Sequence, residues 1–230
     1  MKYSFDSRIR FSEVDENEYL KFDNFINYFQ DCSTFQSEDL GLGVQHLREK
    51  QRVWVVSFWQ VDILKYPKMG DNVKIGTFAY DFKSFIGYRN FYMQDENGEY
   101  LAKANSIWAL LNTETGRPEK ADPNDMALYG KEEKLDMEYK PRKIAIPDDM
   151  EAYEPVEVKN HHLDVNQHVN NGQYINIAFT CLPEKKMPNR ICVEYRNQAH
   201  LGDIIYPYSN GNVVDLRSAD GTSYCVIELS

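Results

Sequence analysis

Asp164-Val165-Asn166-Gln167-His168-Val169-Asn170-Asn171-Gly172-Gln173-Tyr174-Ile175 is the densest run of polar chemistry in this 230-residue sequence, and the chain carries a second, plainer version of it. Placing Asp15 over Asp164 brings Asn17 onto Asn166, Leu20 onto Val169, Phe25 onto Tyr174, Ile26 onto Ile175 and Asn27 onto Asn176, all 149 residues on (164 less 15). Upstream, Ile9 lies over Val158. Downstream, Gly70-Asp71 corresponds to Gly202-Asp203 and Asn97-Gly98 to Asp220-Gly221, at offsets that shrink, as a shorter helix and shorter strands in the second copy require. Self-similarity of this kind marks a duplicated domain.

Each copy reads as a helix followed by strands. From Tyr3 to Val14 apolar and polar residues alternate, with Phe5, Ile9 and Phe11 as the apolar teeth, which predicts a strand. Phe22, Phe25, Ile26, Phe29, Cys32 and Phe35 recur at three and four and predict a long amphipathic helix, stopped by Gly41 and Gly43. Arg52–Leu64 is apolar on both alternating faces and reads as a strand buried on two sides. Val73–Phe82, Ile86–Gln94 and Tyr100–Leu111 are further strands, the last two joined by a hairpin turn at Asp95–Gly98. One helix and then a run of antiparallel strands is an α+β order. Between the copies, Pro118, Pro123, Pro141, Pro147 and Pro155 punctuate a stretch without periodicity, which predicts an extended strap. The expected domains are residues 1–117, a linker at 118–153, and residues 154–230.

Composition excludes several classes. Hydrophobic residues at 42% and aromatics at 13% suffice for real cores, so the chain is not disordered. A formal net charge of −10 argues against nucleic acid and against an anionic membrane surface as partners. Cys32, Cys181, Cys192 and Cys225 show no metal-ligand spacing and read as thiols of a reducing compartment. Without an apolar leader or spanning segment, a cytoplasmic location is expected.

In the central stretch, Asp164, Asn166 and His168 alternate, so an extended backbone there would set all three side chains on one side. Asn170 and Asn171 are helix N-cap residues ahead of Tyr174, Ile175, Ala178, Phe179 and Leu182 at helical spacing. A helix N-terminus offers N–H groups and partial positive charge to a polarised carbonyl or oxyanion. Against this, Asp and Asn gather at turns because their side chains bond nearby backbone, and a lone His is commonly structural. The first copy serves as the control: it keeps Asp15 and Asn17 but has Tyr19 where the second has His168. Asp and Asn then shape a turn in both copies, and a single active site is expected in the second.

The run Asp-x-Asn-x-His-Val-Asn-Asn at Asp164–Asn171 resembles the signature of acyl-acyl-carrier-protein thioesterases. Ala104–Leu111 with Thr115-Gly116-Arg117-Pro118, and Val193-Glu194-Tyr195-Arg196, are similar to further motifs of that family. The resemblance implies two tandem hotdog domains packed as an internal pseudo-dimer, each a long helix wrapped by a curved antiparallel sheet. It also implies hydrolysis of a fatty acyl thioester on acyl carrier protein, with no cofactor and no metal, and a homodimer of the whole is compatible with it. No Gly-x-Ser-x-Gly elbow is present, and Ala199 stands where one family proposal places a cysteine, so water is the expected nucleophile. His168 is the expected base or water-orienting group, Asn166 orients water or carbonyl, Asp164 holds the constellation, and N–H groups near Asn171 and Gly172 polarise the carbonyl. Gln198 occupies the position of a second Glu in the plant pattern, and an amide accepts no proton at neutral pH, so either His168 or Asp164 carries the base role or Gln198 positions water by its amide alone. Trp54, Phe58 and Phe82, with Trp59, Phe78 and Phe85, are candidates for an acyl tunnel in the first copy, with ordinary core as the alternative. Lys185, Lys186 and Arg190 are a candidate docking cluster for the carrier, or simply a solvated loop. The alternatives are an acyl-CoA thioesterase of the same fold and a non-catalytic acyl-binding protein, while a hotdog dehydratase matches the motif and the duplication less well.

Overall fold

The structure, a computed structural model, describes residues 1–182 and 187–230. Two compact units divide the chain, Met1–Tyr139 and Lys140–Ser230.

In the first unit β1 (Tyr3–Arg8) precedes α1 (Phe22–Asp39) and the short α2 (Val44–Glu49). Then come β2 (Arg52–Ile63), β3 (Asn72–Lys83), β4 (Ile86–Gln94), β5 (Tyr100–Asn112) and α3 (Pro123–Tyr129). The strands pair antiparallel in the order β1-β3-β4-β5-β2. The predicted stripe of α1 is its buried face up to Cys32, with Phe35 exposed at its end: Phe25, Ile26, Phe29 and Cys32 are fully covered, and the Phe29 ring meets Trp59 of β2 at 6.2 Å and Phe91 of β4 at 5.5 Å.

The second unit holds β6 (Glu151–Ala152), β7 (Val156–Glu157), α4 (Asn171–Phe179), β8 (Arg190–Tyr195), β9 (Ile204–Ser209), β10 (Val213–Arg217) and β11 (Ser223–Leu229). Its order is β6-β9-β10-β11-β8, with β7 also on β9, so the wiring repeats that of the first unit strand for strand. The repeat holds at single hydrogen bonds. Ile9 N–H donates to the Asp71 carbonyl at 2.9 Å and Gly70 N–H to the Ile9 carbonyl at 2.9 Å; Val158 and Asp203, then Gly202 and Val158, do the same at 2.9 and 3.0 Å. Gly70 and Gly202 sit at φ 89° and 86°, in the left-handed region that favours glycine at this turn.

One expectation changes. The first strand stops at Arg8, and Phe11–Glu13 is a 3-10 turn in which the Glu13 carboxylate accepts the Arg10 N–H at 2.8 Å. Phe11, read as an inward tooth, is therefore 83% exposed. The boundary between units falls inside the expected linker at 118–153. Residues up to 139 fasten to the first sheet through buried amides placed on apolar strands: Asn90 Oδ1 accepts from Leu135 N–H (3.1 Å) and the Tyr139 hydroxyl (2.9 Å), while Gln60 donates to the Glu138 carbonyl (2.7 Å). In the second unit the buried Glu194 accepts the Ile144 N–H at 3.0 Å and an Arg196 N–H at 2.8 Å. Among the described residues no helix is long and apolar enough to cross a membrane.

Candidate active site

Residues 163–169 form a tight loop closed by a bridge between Leu163 and Val169, so of the two readings the turn is found and the extended segment is not. Asp164 N–H donates to the His168 carbonyl at 2.8 Å, and Gln167 N–H to the Asp164 carbonyl at 3.1 Å. The Asp164 carboxylate turns onto the backbone, accepting from the N–H of Asn166 (2.8 Å) and of His168 (3.3 Å). Gln167 takes φ 64° to close the loop. Asn166 consequently projects into solvent, and His168 is half-buried. The first unit builds the same loop: Asp15 Oδ1 accepts from Asn17 N–H (2.9 Å) and Tyr19 N–H (3.0 Å), with Glu18 at φ 67°. The aspartate is thus the loop-former in both units, and the ring at the loop's end changes from a phenol to an imidazole.

Next comes the helix. Asn170 caps α4, its Oδ1 accepting the Gly172 N–H at 2.8 Å. That hydrogen is directed to the cap and not outward, so Gly172 is not positioned to polarise a carbonyl as the helix stands. The Asn171 carbonyl accepts the Tyr195 hydroxyl at 2.9 Å, tying the helix start to β8. Farther on, the Tyr174 hydroxyl accepts the buried Ala199 N–H at 2.9 Å, and burial pushes that hydroxyl's pKa up, which keeps it protonated. In the first unit the corresponding residues are Phe25 and Pro67, which lack the acceptor and the donor together. The backbone register is nonetheless the same, with Val169 N–H on the Ala199 carbonyl (3.1 Å) and Leu20 N–H on the Pro67 carbonyl (3.0 Å).

This register sets His200 against His168, ring centroids 5.0 Å apart and planes at 77°. His200 is a neighbour of the candidate site that the sequence reading passed over. Its signal lay two residues before Gly202-Asp203: extending the match with Gly70-Asp71 backwards puts Lys68 over His200. Lys68 N–H donates to Asp71 Oδ2 at 2.8 Å and His200 N–H to Asp203 Oδ2 at 2.8 Å. Lys68 Nζ then lies 4.8 Å from the Tyr19 ring centre, the first unit's version of the same contact. Burial lowers the His168 pKa, the neighbouring His200 lowers it further, and Asp164 opposes both. An imidazole of that kind is available as a neutral base at and below neutral pH.

Gln198 lies exposed in the segment after β8 and makes no side-chain hydrogen bond among the described residues. Thiols offer no alternative nucleophile at Cys32, Cys181 or Cys225, since each is buried and burial pushes its pKa up. Among the described residues no group of three or more His, Cys, Asp or Glu is arranged to hold a metal ion. Lys185 and Lys186 lie outside the described residues, and Arg190 begins β8 with its N–H on the Ser230 carbonyl at 2.8 Å.

The candidate acyl-binding residues of the first unit do not share a face. A bulge at Ser57 shifts the register from Val56↔Trp108 to Phe58↔Ile107. Trp54 stays on the face that carries Trp108 and Trp59, toward α1, and Phe58 turns to the other and is fully buried. Trp54 and Phe82 do come together over Gly87, where an added Cβ would lie 3.4 Å from each ring. Of the three, Trp54 and Phe82 are half-buried and remain open to a ligand; Phe58 is core.

A family model for the acyl-ACP thioesterase N-terminal domain matches residues 1–129, and one for the C-terminal domain matches residues 146–223. The chain is 24% identical over 221 residues to the chloroplastic oleoyl-acyl carrier protein thioesterase 1 of Arabidopsis thaliana, covering 86% of this chain and 60% of that protein. To the chloroplastic palmitoyl-acyl carrier protein thioesterase of the same plant it is 28% identical over 207 residues, covering 83% and 50%. It therefore spans 50 to 60% of the length of these relatives. An acyl-ACP thioesterase from Bacteroides thetaiotaomicron superposes with a TM-score of 0.90 at 22% identity, over 99% of this chain and 96% of that one. The 12:0-ACP thioesterase from Umbellularia californica does so at 0.85 and 20%, over 100% and 96%. The fold is that of two tandem hotdog units.

Proposed function

The chain belongs to the acyl-ACP thioesterase family, and from that premise we propose that it hydrolyses a fatty acyl thioester of acyl carrier protein to the free fatty acid and the carrier thiol. The observation that carries the proposal is the paired loop: one architecture built twice by an aspartate, ending in a phenol in the first unit and in a half-buried imidazole of lowered pKa in the second.

His168 takes a proton from water as the water oxygen attacks the thioester carbonyl carbon. When the tetrahedral adduct collapses, the C–S bond breaks and the same proton returns to the leaving sulfur. Asp164 acts by holding the loop, and the exposed amides of Asn166 and Gln198 orient the water. The acyl chain is assigned to the first unit, where Trp54 and Phe82 converge over Gly87. The buried thiols, none of them in a disulfide among the described residues, fit a reducing compartment such as the cytoplasm.

Hydrolysis of acyl-carrier-protein substrates across chain lengths, with acyl-CoA as competitor, tests the reading. Turnover of the carrier-bound thioester in preference to the CoA thioester supports it. Preference for CoA would move the assignment to an acyl-CoA thioesterase, and absence of turnover on either would leave an acyl-binding protein.

A further inference from the structure

We propose that His200 is a positioning residue for this hydrolysis, acting through His168: it packs edge-on against that ring to fix its orientation, and it admits only one positive charge to the two imidazoles. The inference rests on the proposed function in that it gives His168 the work of a base, but the contact itself stands on geometry.

The fold builds the contact in both units. Lys68 and His200 occupy matching places, each with its N–H on the carboxylate of a following aspartate, Asp71 or Asp203, and each reaching the ring at the end of the aspartate-held loop. Packing alone needs no imidazole there, because the first unit fills the same place with a lysine over a phenol. In the second unit both members are imidazoles. Two imidazolium charges at this separation would disfavour each other.

The groups facing the pair among the described residues of this unit are few. Asp164 comes from the His168 loop. Asp203 has Oδ2 3.9 Å from His200 Nδ1, and the Tyr224 hydroxyl donates to the same oxygen at 3.3 Å. Asp203 thus lies on the side of His200, while His168 is the ring whose burial disfavours the charge. The lowered pKa of His168, to which His200 contributes after burial, agrees with this arrangement.

The experiment follows the His168 imidazole directly, by heteronuclear NMR titration of the wild type, His200→Gln and His200→Lys. The lysine variant copies what the first unit already accepts. With the second ring replaced by a neutral amide, the His168 midpoint should rise by about half a unit; with a permanent cation in its place it should fall by a similar amount. A midpoint that is unchanged in both variants, or that moves the same way in both, overturns the proposal, because loss of packing or burial alone has one sign. The pH dependence of kcat/KM is recorded on the same three proteins. An acidic limb that follows the NMR midpoint supports His168 as the base. A midpoint that moves while the limb stays fixed upholds the coupling and removes His168 from the role of base, so the two readings fail separately.

Discussion

His168→Ala should lower turnover by about 100- to 10,000-fold, the usual contribution of a general acid–base group. It should do so without unfolding the loop, which is held by the Asp164 carboxylate and by backbone bonds that do not involve the imidazole. Tyr19→Ala, at the matching place, should leave the chemical step intact; steady-state kinetics and a thermal melt on both variants check the contrast, and equal losses of turnover would contradict a single active site. Gln198→Ala should cost at most about tenfold, since one neutral hydrogen bond is worth roughly 0.5 to 1.5 kcal/mol. Gln198→Glu should retain activity; if the wild type is inactive and this variant is not, the chain is a binding protein that lost its base. The distinction of His168 was readable because a duplicated sequence supplies its own control. His200 was less accessible, because its meeting with His168 joins two loops through the Val169–Ala199 backbone bond, and no local periodicity encodes such a bond.

Helix α4 is fastened to the segment after β8 by the Tyr174–Ala199 bond, and the first unit dispenses with both ends of it. Tyr174→Phe should destabilise the protein by about 1 to 3 kcal/mol, the cost of stranding a buried N–H. Adding Ala199→Pro, which removes that N–H, should recover a measurable part of the loss in a denaturant double-mutant cycle; strictly additive losses would show that the bond is not the cause. Most elements were legible beforehand, since the three-and-four spacing of Phe25 to Cys32 and the alternation within the strands record burial directly. The exceptions are places where a tertiary or side-chain bond overrides the local pattern. Glu13 folds back on Arg10 and ends the first strand early, Asp164 gathers the backbone of a segment that alternates like a strand, and the Ser57 bulge inverts the face of every residue beyond it.

Across the whole chain, the first copy has an aromatic-rich face against α1, and four of the five histidines fall in the second. Trp54→Ala and Phe82→Ala should shift the preferred acyl length, read from products of mixed-chain hydrolysis. Phe58→Ala should instead cost about 3 to 5 kcal/mol of stability with the length profile unchanged, because that ring is core on the opposite face. If all three variants lose only stability, the acyl chain binds elsewhere. The linked pairs Tyr174 with Ala199 and Phe25 with Pro67 also bear on how the halves have remained different over evolutionary time. Gene conversion between internal repeats copies short tracts, and a tract carrying the Phe25 region into the second half would bring one partner without the other. The resulting orphaned N–H, at about 1 to 3 kcal/mol, is a sizeable share of a typical total stability of about 5 to 15 kcal/mol. Half-copied genes would be purged, and the repeats, insulated from each other's sequence, could go on diverging inside one reading frame.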